Sequence, residues 1–264
     1  MLHVTWLLAL IVSTSPFGHA LHTSGNLSRI RCDTVLYGKY GKGGNNNRRN
    51  KGDVLNVEKG LAERGFDAII GSDETGRGSI AGPVLAASLC IQVDDWNSYT
   101  PIAEVGDSKT LDFERRERIF EEVVSQPDLY HFSVAERSNE QIDDSNIVMA
   151  TMECFAESIE EVVATLPQDC NAYSIVDGKK SPKLSVKVPC RPWVKGDAEV
   201  YTISLASILA KVTLDRNSKE WHEKYPEYGF DEHKGYATKE HIEAIHRHGP
   251  CPIHRLSFKS LKGR

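Results

Sequence analysis

From Gly65 onward, hydrophobic and polar positions alternate between strand-like and helix-like periods, whereas the first fifty or so residues follow neither. Residues 68–71 form a short apolar run that a Gly-rich turn would end, which predicts a buried strand. Residues 83–93, from Pro83 to Val93, read as a second buried strand. Residues 112–125 predict an amphipathic helix, with Phe113, Ile119, Phe120, Val123 and Val124 set against Glu114, Arg115, Arg116 and Glu117. Residues 131–135 suit a third strand. The clearest helix lies at 140–165, where Val148, Met152, Phe155, Ile159 and Val162 step by 4, 3, 4 and 3 along one face. A strand at 173–176 ends at Asp177-Gly178. A mostly buried helix follows at 198–217, with Ala206 and Ala210 allowing close packing, and a surface helix at 238–247. Together these predict an α/β domain with a mixed central sheet between helices.

The N-terminal stretch reads as an address. Residues 4–12 are mostly apolar, and small residues at Gly18 and Ala20 fit a signal-peptidase site, although no Lys or Arg precedes the run. Nine residues are too few to span a bilayer. The chain then becomes basic and rich in Ser, Asn and Gly, a composition that buries no core. The expected organisation is a signal-like segment at 1–20, a disordered basic transit-like extension at 21–60 and a folded body at 61–264. A signal-like segment followed by a transit-like one resembles the two-part presequence of plastid proteins in algae with complex plastids. An organellar destination is therefore expected, the plastid first, with mitochondrial import or secretion as alternatives.

Charge narrows the function classes. The formal charge of the 264 residues is −5, but residues 1–55 hold seven basic and two acidic residues, leaving 25 basic and 35 acidic residues on 56–264. So acidic a body lacks the broad basic surface of a non-specific duplex binder, and nucleic-acid affinity would have to come from local patches and metal. The six cysteines form no C-x-x-C pair and no zinc spacing, which fits reduced structural thiols.

The densest chemistry lies in Asp73-Glu74-Thr75-Gly76-Arg77-Gly78, directly after the first strand. Two carboxylates there suit a hard cation. Neighbouring strand residues point to opposite faces, so both reach one ion only if the strand bends or a second ion is present. Gly76 and Gly78 let backbone N–H groups approach a phosphate or ribose hydroxyl, and Arg77 suits the phosphate itself. Alone, the hexapeptide also reads as a solvated acidic turn. Likewise Asp177 reads alone as a turn residue, and Asp197, in Lys195-Gly196-Asp197-Ala198, as the N-cap of the 198–217 helix.

Taken together, these segments resemble ribonuclease HII over about residues 66–260. The match runs through Gly71-Ser72-Asp73-Glu74-Thr75-Gly76-Arg77-Gly78, Asp107-Ser108-Lys109-Thr110-Leu111, Val176-Asp177-Gly178, Lys195-Gly196-Asp197, Ala206-Ser207-Ile208-Leu209-Ala210-Lys211-Val212 and His233-Lys234-Gly235-Tyr236-Ala237-Thr238, then His254-Arg255. The resemblance implies a ribonuclease H-like fold with a C-terminal helical extension. It also implies an endonuclease, acting as a monomer without a membrane in its mature form, whose partners are RNA–DNA hybrids and duplex DNA containing ribonucleotides. Asp73, Glu74, Asp177 and Asp197 match the family's catalytic and metal-binding carboxylates, which hold two Mg²⁺ or Mn²⁺ ions. Gly76, Arg77 and Gly78 match the motif that contacts the ribose 2′-OH and adjacent phosphate. Tyr236 matches the aromatic that stacks on the following deoxyribose, and Lys109 a phosphate contact. Lys211 and Arg255 read as phosphate contacts or as structural partners of acids. Thr75 replaces a more usual Ala, and Leu214 stands where a basic residue is common. A hybrid-only nuclease of the ribonuclease HIII type and a catalytically silent nucleic-acid-binding relative are the alternatives.

Overall fold

The computed structural model describes residues 53–105 and 111–261. Five strands form one mixed sheet in the order β3-β2-β1-β4-β5: β1 (Ala68–Thr75), β2 (Val84–Ile91), β3 (Tyr130–Arg137), β4 (Ala172–Asp177) and β5 (Cys190–Trp193). β1, β2 and β3 make an antiparallel meander, while β4 and β5 run parallel to β1. The helices are α1 (Asn56–Ala62), α2 (Phe113–Val124), α3 (Asn139–Asp144), α4 (Ile147–Thr165), α5 (Gly196–Glu199), α6 (Tyr201–Lys224), α7 (Phe230–His233) and α8 (Lys239–His248). This is the α/β architecture expected, and the central strands are buried on both faces because a helix covers each.

Strand alternation decides what each face meets. Ala68, Ile70, Val84, Ala86 and Cys90 pack with Cys154, Phe155, Ile159 and Val162 of α4. The opposite set on β1, which includes Gly71 and Asp73, faces α6. A Cβ on Gly71 would lie 2.3 Å from the Thr202 carbonyl carbon and 2.4 Å from the Ile203 nitrogen, so only glycine lets α6 lie this close to β1. A second, smaller core joins Ile80 and Ala81 to Tyr228, Phe230, Ala244, Ile245 and Leu261. It forms the helical C-terminal extension, stitched to the turn after β1 by bridges between Ser79 and Tyr236 and between Ala81 and His254.

Several expectations need correction. Residues 56–60, placed in the disordered extension, are helical in α1, and the flanking Leu55 and Leu61 are buried. Glu58 is also fully buried and accepts hydrogen bonds from the Thr202 N–H (2.9 Å) and hydroxyl (3.0 Å), capping the start of α6. The single helix expected at 140–165 is two. Asn146 is extended and its side chain accepts from the N–H groups of Val148 and Met149, starting α4 afresh, while Asp143 takes the Leu256 and Ser257 N–H groups. β5 was not foreseen. Its Cys-Arg-Pro-Trp sequence is weak strand material, and Pro192 is tolerated because β5 is an edge strand. Asp197 is not the N-cap of the long helix: it lies within α5, and the extended Val200 separates α5 from α6. Lys109 and residues 1–52, including the leader, lie outside the described residues. Among those described, no helix is long and apolar enough to cross a membrane, and Cys90, Cys154, Cys170, Cys190 and Cys251 are free.

Candidate metal centre and nucleic-acid interface

The parallel register of β1 and β4 builds the centre. Ser72 pairs with Val176, so the next residues, Asp73 and Asp177, lie side by side where β4 ends, while β1 runs past the expected 68–71 and carries both acids on to Thr75. Carboxylate oxygens of Asp73, Glu74 and Asp177 all lie within 4.8 Å of one another. Asp73 and Glu74 leave the strand on opposite sides, yet at its end their oxygens converge. The Gly196 N–H donates to Asp177 Oδ1 at 2.6 Å, which tethers α5, and with it Asp197, to the end of β4. Asp197 is buried but does not belong to the three-carboxylate cluster.

Burial and mutual repulsion make this cluster electrostatically unfavourable without a cation. Burial, with further repulsion from Glu74 and Asp177, pushes Asp73 up to about 7, against a hydrogen bond from Ser207 and the nearby Lys211 charge. Burial also raises Glu74, opposed by Arg77, whose Nη1 donates to Glu74 Oε1 at 3.3 Å. Lys211 Nζ donates to Ser207 Oγ at 2.7 Å, so successive turns of α6 send a cation and a hydroxyl toward Asp73. Three hard oxygen donors drawn together against their own repulsion fit a divalent ion of the Mg²⁺ or Mn²⁺ type.

The turn after β1 is organised from beneath by Arg255. Its side chain is fully buried, and its guanidinium donates to the carbonyls of Gly76 (2.8 Å), Ser79 (2.6 Å), Gly82 (2.8 Å) and Pro83 (2.7 Å), with a longer contact to Arg77 (3.4 Å). Its partners are backbone carbonyls rather than the acids considered from sequence. Burial lowers its pKa to about 10, so it stays charged at neutral pH. Gly76 has φ 77°, and a Cβ there would meet the Pro83 carbonyl at 2.8 Å, which accounts for the glycine. Arg77 and Gly78 are exposed, and the 41% exposed Tyr236 ring lies against Gly78, 3.4 Å from where a Cβ would project. A pocket beside it is lined by Thr75, Arg116, Lys211, Leu214, Asp215, Lys234 and Tyr236. Arg116, which reaches Asp215 at 3.1 Å, puts a cation next to the apolar Leu214.

The Tyr236 backbone is held by imidazoles. His241 Nδ1 lies 2.8 Å from the Tyr236 carbonyl, so it bears the proton; His241 Nε2, 3.0 Å from His254 Nε2, then accepts from it. That leaves His254 Nδ1 to accept the Cys251 N–H at 2.9 Å. Burial lowers the pKa of both rings, that of His241 to about 4, which matches this neutral arrangement.

A family profile for ribonuclease HII matches residues 70–261, and the chain is 42% identical over 194 residues to the ribonuclease HII of Idiomarina loihiensis, spanning 74% of this chain and 96% of that protein. The chain belongs to the ribonuclease HII family. The ribonuclease HII of Caldanaerobacter subterraneus is 40% identical over 208 residues, 78% of this chain and 80% of that protein. The crystal structure of ribonuclease H2 from Pyrococcus horikoshii superposes with TM-score 0.59 at 25% identity, covering 74% of this chain and 95% of that one. A ribonuclease HIII solved in complex with Mn²⁺ shares the fold, with TM-score 0.59 at 18% identity, covering 77% of this chain and 71% of that one. The protein is thus an enzyme of the ribonuclease H class with the ribonuclease H-like fold, in a family that depends on divalent metal and acts on RNA–DNA hybrids.

Of the residues singled out from sequence, Asp73, Glu74 and Asp177 converge, Asp197 is tethered next to them, and Arg77, Gly78 and Tyr236 are exposed together while Gly76 is buried beneath them. Sequence reasoning did not find the supporting groups Glu58, Ser207 and His241. Ser207 was within reach, since residues 207 and 211 lie one helical turn apart on α6.

Proposed function

We propose that this enzyme hydrolyses the RNA strand of RNA–DNA hybrids and also nicks duplex DNA on the 5′ side of an embedded ribonucleotide, leaving a 3′-hydroxyl and a 5′-phosphate. Such nicks serve primer removal and ribonucleotide excision repair. The observation that supports this reading most is the convergence of Asp73, Glu74 and Asp177 beside a turn that exposes Arg77 and Gly78 against Tyr236. Asp73, Glu74, Asp177 and Asp197 would hold the divalent ions. When bound, two such ions supply Lewis acidity that activates water and stabilises the departing 3′ oxygen. The chain's own groups position the strand. Backbone N–H groups at Gly76 and Gly78 suit a ribose 2′-OH and its neighbouring phosphate, and Arg77 stands exposed to meet that phosphate. Ser207 and Lys211 orient Asp73 and temper its charge. The Tyr236 face suits a deoxyribose, where an added 2′-OH would crowd the ring.

The test uses the full chain with Mn²⁺ or Mg²⁺ on a duplex bearing one ribonucleotide and on a continuous hybrid. Both should be cut, and Asp73→Asn should cut neither. Tyr236→Ala should lose about tenfold more on the single ribonucleotide than on the hybrid, the scale of ~1–3 kcal/mol of aromatic stacking. Equal losses would remove the junction-sensing role. We also propose that the enzyme acts as a monomer and that the leader at 1–20 and basic stretch at 21–60 direct it to an organelle, the plastid first. Light scattering of the purified protein and localisation of a fluorescent fusion to residues 1–60 test these two points.

A further inference from the structure

We propose that the connection from β4 through β5, residues 178–195, is a phosphate-binding surface that holds a nucleic-acid duplex beyond the reacting nucleotide. This deepens the reading given under Proposed function and rests on it. Six of the 25 basic residues of the body, and none of its 35 acidic ones, lie in this stretch: Lys179, Lys180, Lys183, Lys187, Arg191 and Lys195. All six are exposed. Elsewhere the body is acidic, so affinity for a polyanion has to be concentrated locally, and counterion release from Lys and Arg is its main physical source.

The stretch is also fixed in place, and fixed at the site. It starts one residue after Asp177 and ends two residues before Asp197. The Gly178 N–H donates to the Trp193 carbonyl at 2.9 Å and the Gly196 N–H to Asp177 at 2.6 Å, closing both ends onto the carboxylate end of β4. Between them Leu184, Val188 and Cys190 pack against the core under α4, and the Ser185 N–H donates to Glu160 of α4 at 2.5 Å. Lys183, Lys187 and Arg191 flank these half-buried positions and remain exposed. A loop pinned by apolar side chains presents its charges with less ordering cost than a free tail would. Because β5 is the edge strand, no further strand among the described residues covers this side of the sheet. A duplex whose scissile phosphate lies at the carboxylates therefore meets this basic margin as it leaves them. Contacts of this kind add affinity without reading sequence.

The test measures binding of an all-DNA duplex to the full chain, with chelator present so that no cleavage occurs, as a function of NaCl concentration. The variant Lys179→Gln/Lys183→Gln/Lys187→Gln should lower the slope of log affinity against log salt by about 2–3, the counterion release of three lost phosphate contacts. A control of equal charge change on exposed residues elsewhere, Arg64→Gln/Lys224→Gln/Arg247→Gln, should leave the slope unchanged. Equal slopes for the wild type and the first variant would overturn the proposal, as would equal slope changes in both variants. The measurement is separable from the activity. A chain that nicks ribonucleotide duplexes with an unaltered slope refutes this surface alone. One with the expected slope change that cuts no ribose-containing duplex refutes the proposed function alone.

Discussion

Replacing Arg255 by methionine tests whether the turn that carries Gly76, Arg77 and Gly78 is held from inside the protein. The substitution keeps most of the volume and removes the donors to the carbonyls of Gly76, Ser79, Gly82 and Pro83, all within 2.6–2.8 Å. A hydrogen bond from a charged donor contributes roughly 1.5–3 kcal/mol, so four would sum to roughly 6–12 kcal/mol, most of a typical domain's margin of about 5–15 kcal/mol. The turn lies near solvent, however, and freed carbonyls can recruit water as it opens. We therefore expect a loss of about 3–5 kcal/mol, the scale seen when one member of a buried charged network is removed. Arg255→Lys keeps the charge but offers three donors on a flexible stem, and should lose about half as much. Urea unfolding of the wild type and both variants measures the loss, and amide hydrogen exchange localises it. Residues 76–83 should exchange faster in Arg255→Met than in the wild type, with the sheet core little changed. A destabilisation below about 1 kcal/mol, or unchanged exchange across 76–83, would refute the clamp.

Gly71→Ala should lower the thermal midpoint by roughly 5–10 °C, because the new methyl meets the backbone at Thr202 and Ile203 and overpacking of this kind costs about 1–3 kcal/mol; an unchanged midpoint in differential scanning calorimetry would contradict the close β1–α6 approach. Stability should fall on acidification through the imidazole pair. His241 has a folded-state pKa of about 4 against 6.5 for the free group, so between these values the unfolded chain takes up the proton first. Its contribution, up to about 3 kcal/mol, is complete above pH 6.5 and lost as pH falls towards 4. Urea midpoints at pH 7, 5.5 and 4.5 should show this slope, and His241→Asn should flatten it.

Elements with strong periodicity were readable directly. The buried runs of β1 and β2 and the apolar stripe of α4 reflect a core that demands apolar side chains at fixed spacing. The break at Ser145-Asn146 was hidden because a cap is a local side-chain competition that leaves the longer periodicity intact. Residues 56–60 looked disordered because their composition is polar, but Glu58 is buried for a reason that local composition cannot carry: its partner, Thr202, is 144 residues away. A still longer separation, 179 residues to Gly76 and 172 to Pro83, hid the grip of Arg255 on residues 76–83. Asp73, Glu74 and Asp177 were legible as carboxylates at strand ends, whereas their convergence depends on the parallel β1–β4 register, which no local pattern encodes.

Mn²⁺ binding to the full chain, followed by calorimetry, shows whether these carboxylates act together as a divalent-cation site. Protons compete for a group raised to about 7, so affinity should be near its maximum at pH 8 and weaken by up to about tenfold per pH unit below 7, with protons released on binding. Asp73→Asn should bind Mn²⁺ at least about tenfold more weakly at pH 8. Equal Mn²⁺ affinity in the wild type and Asp73→Asn would contradict the account.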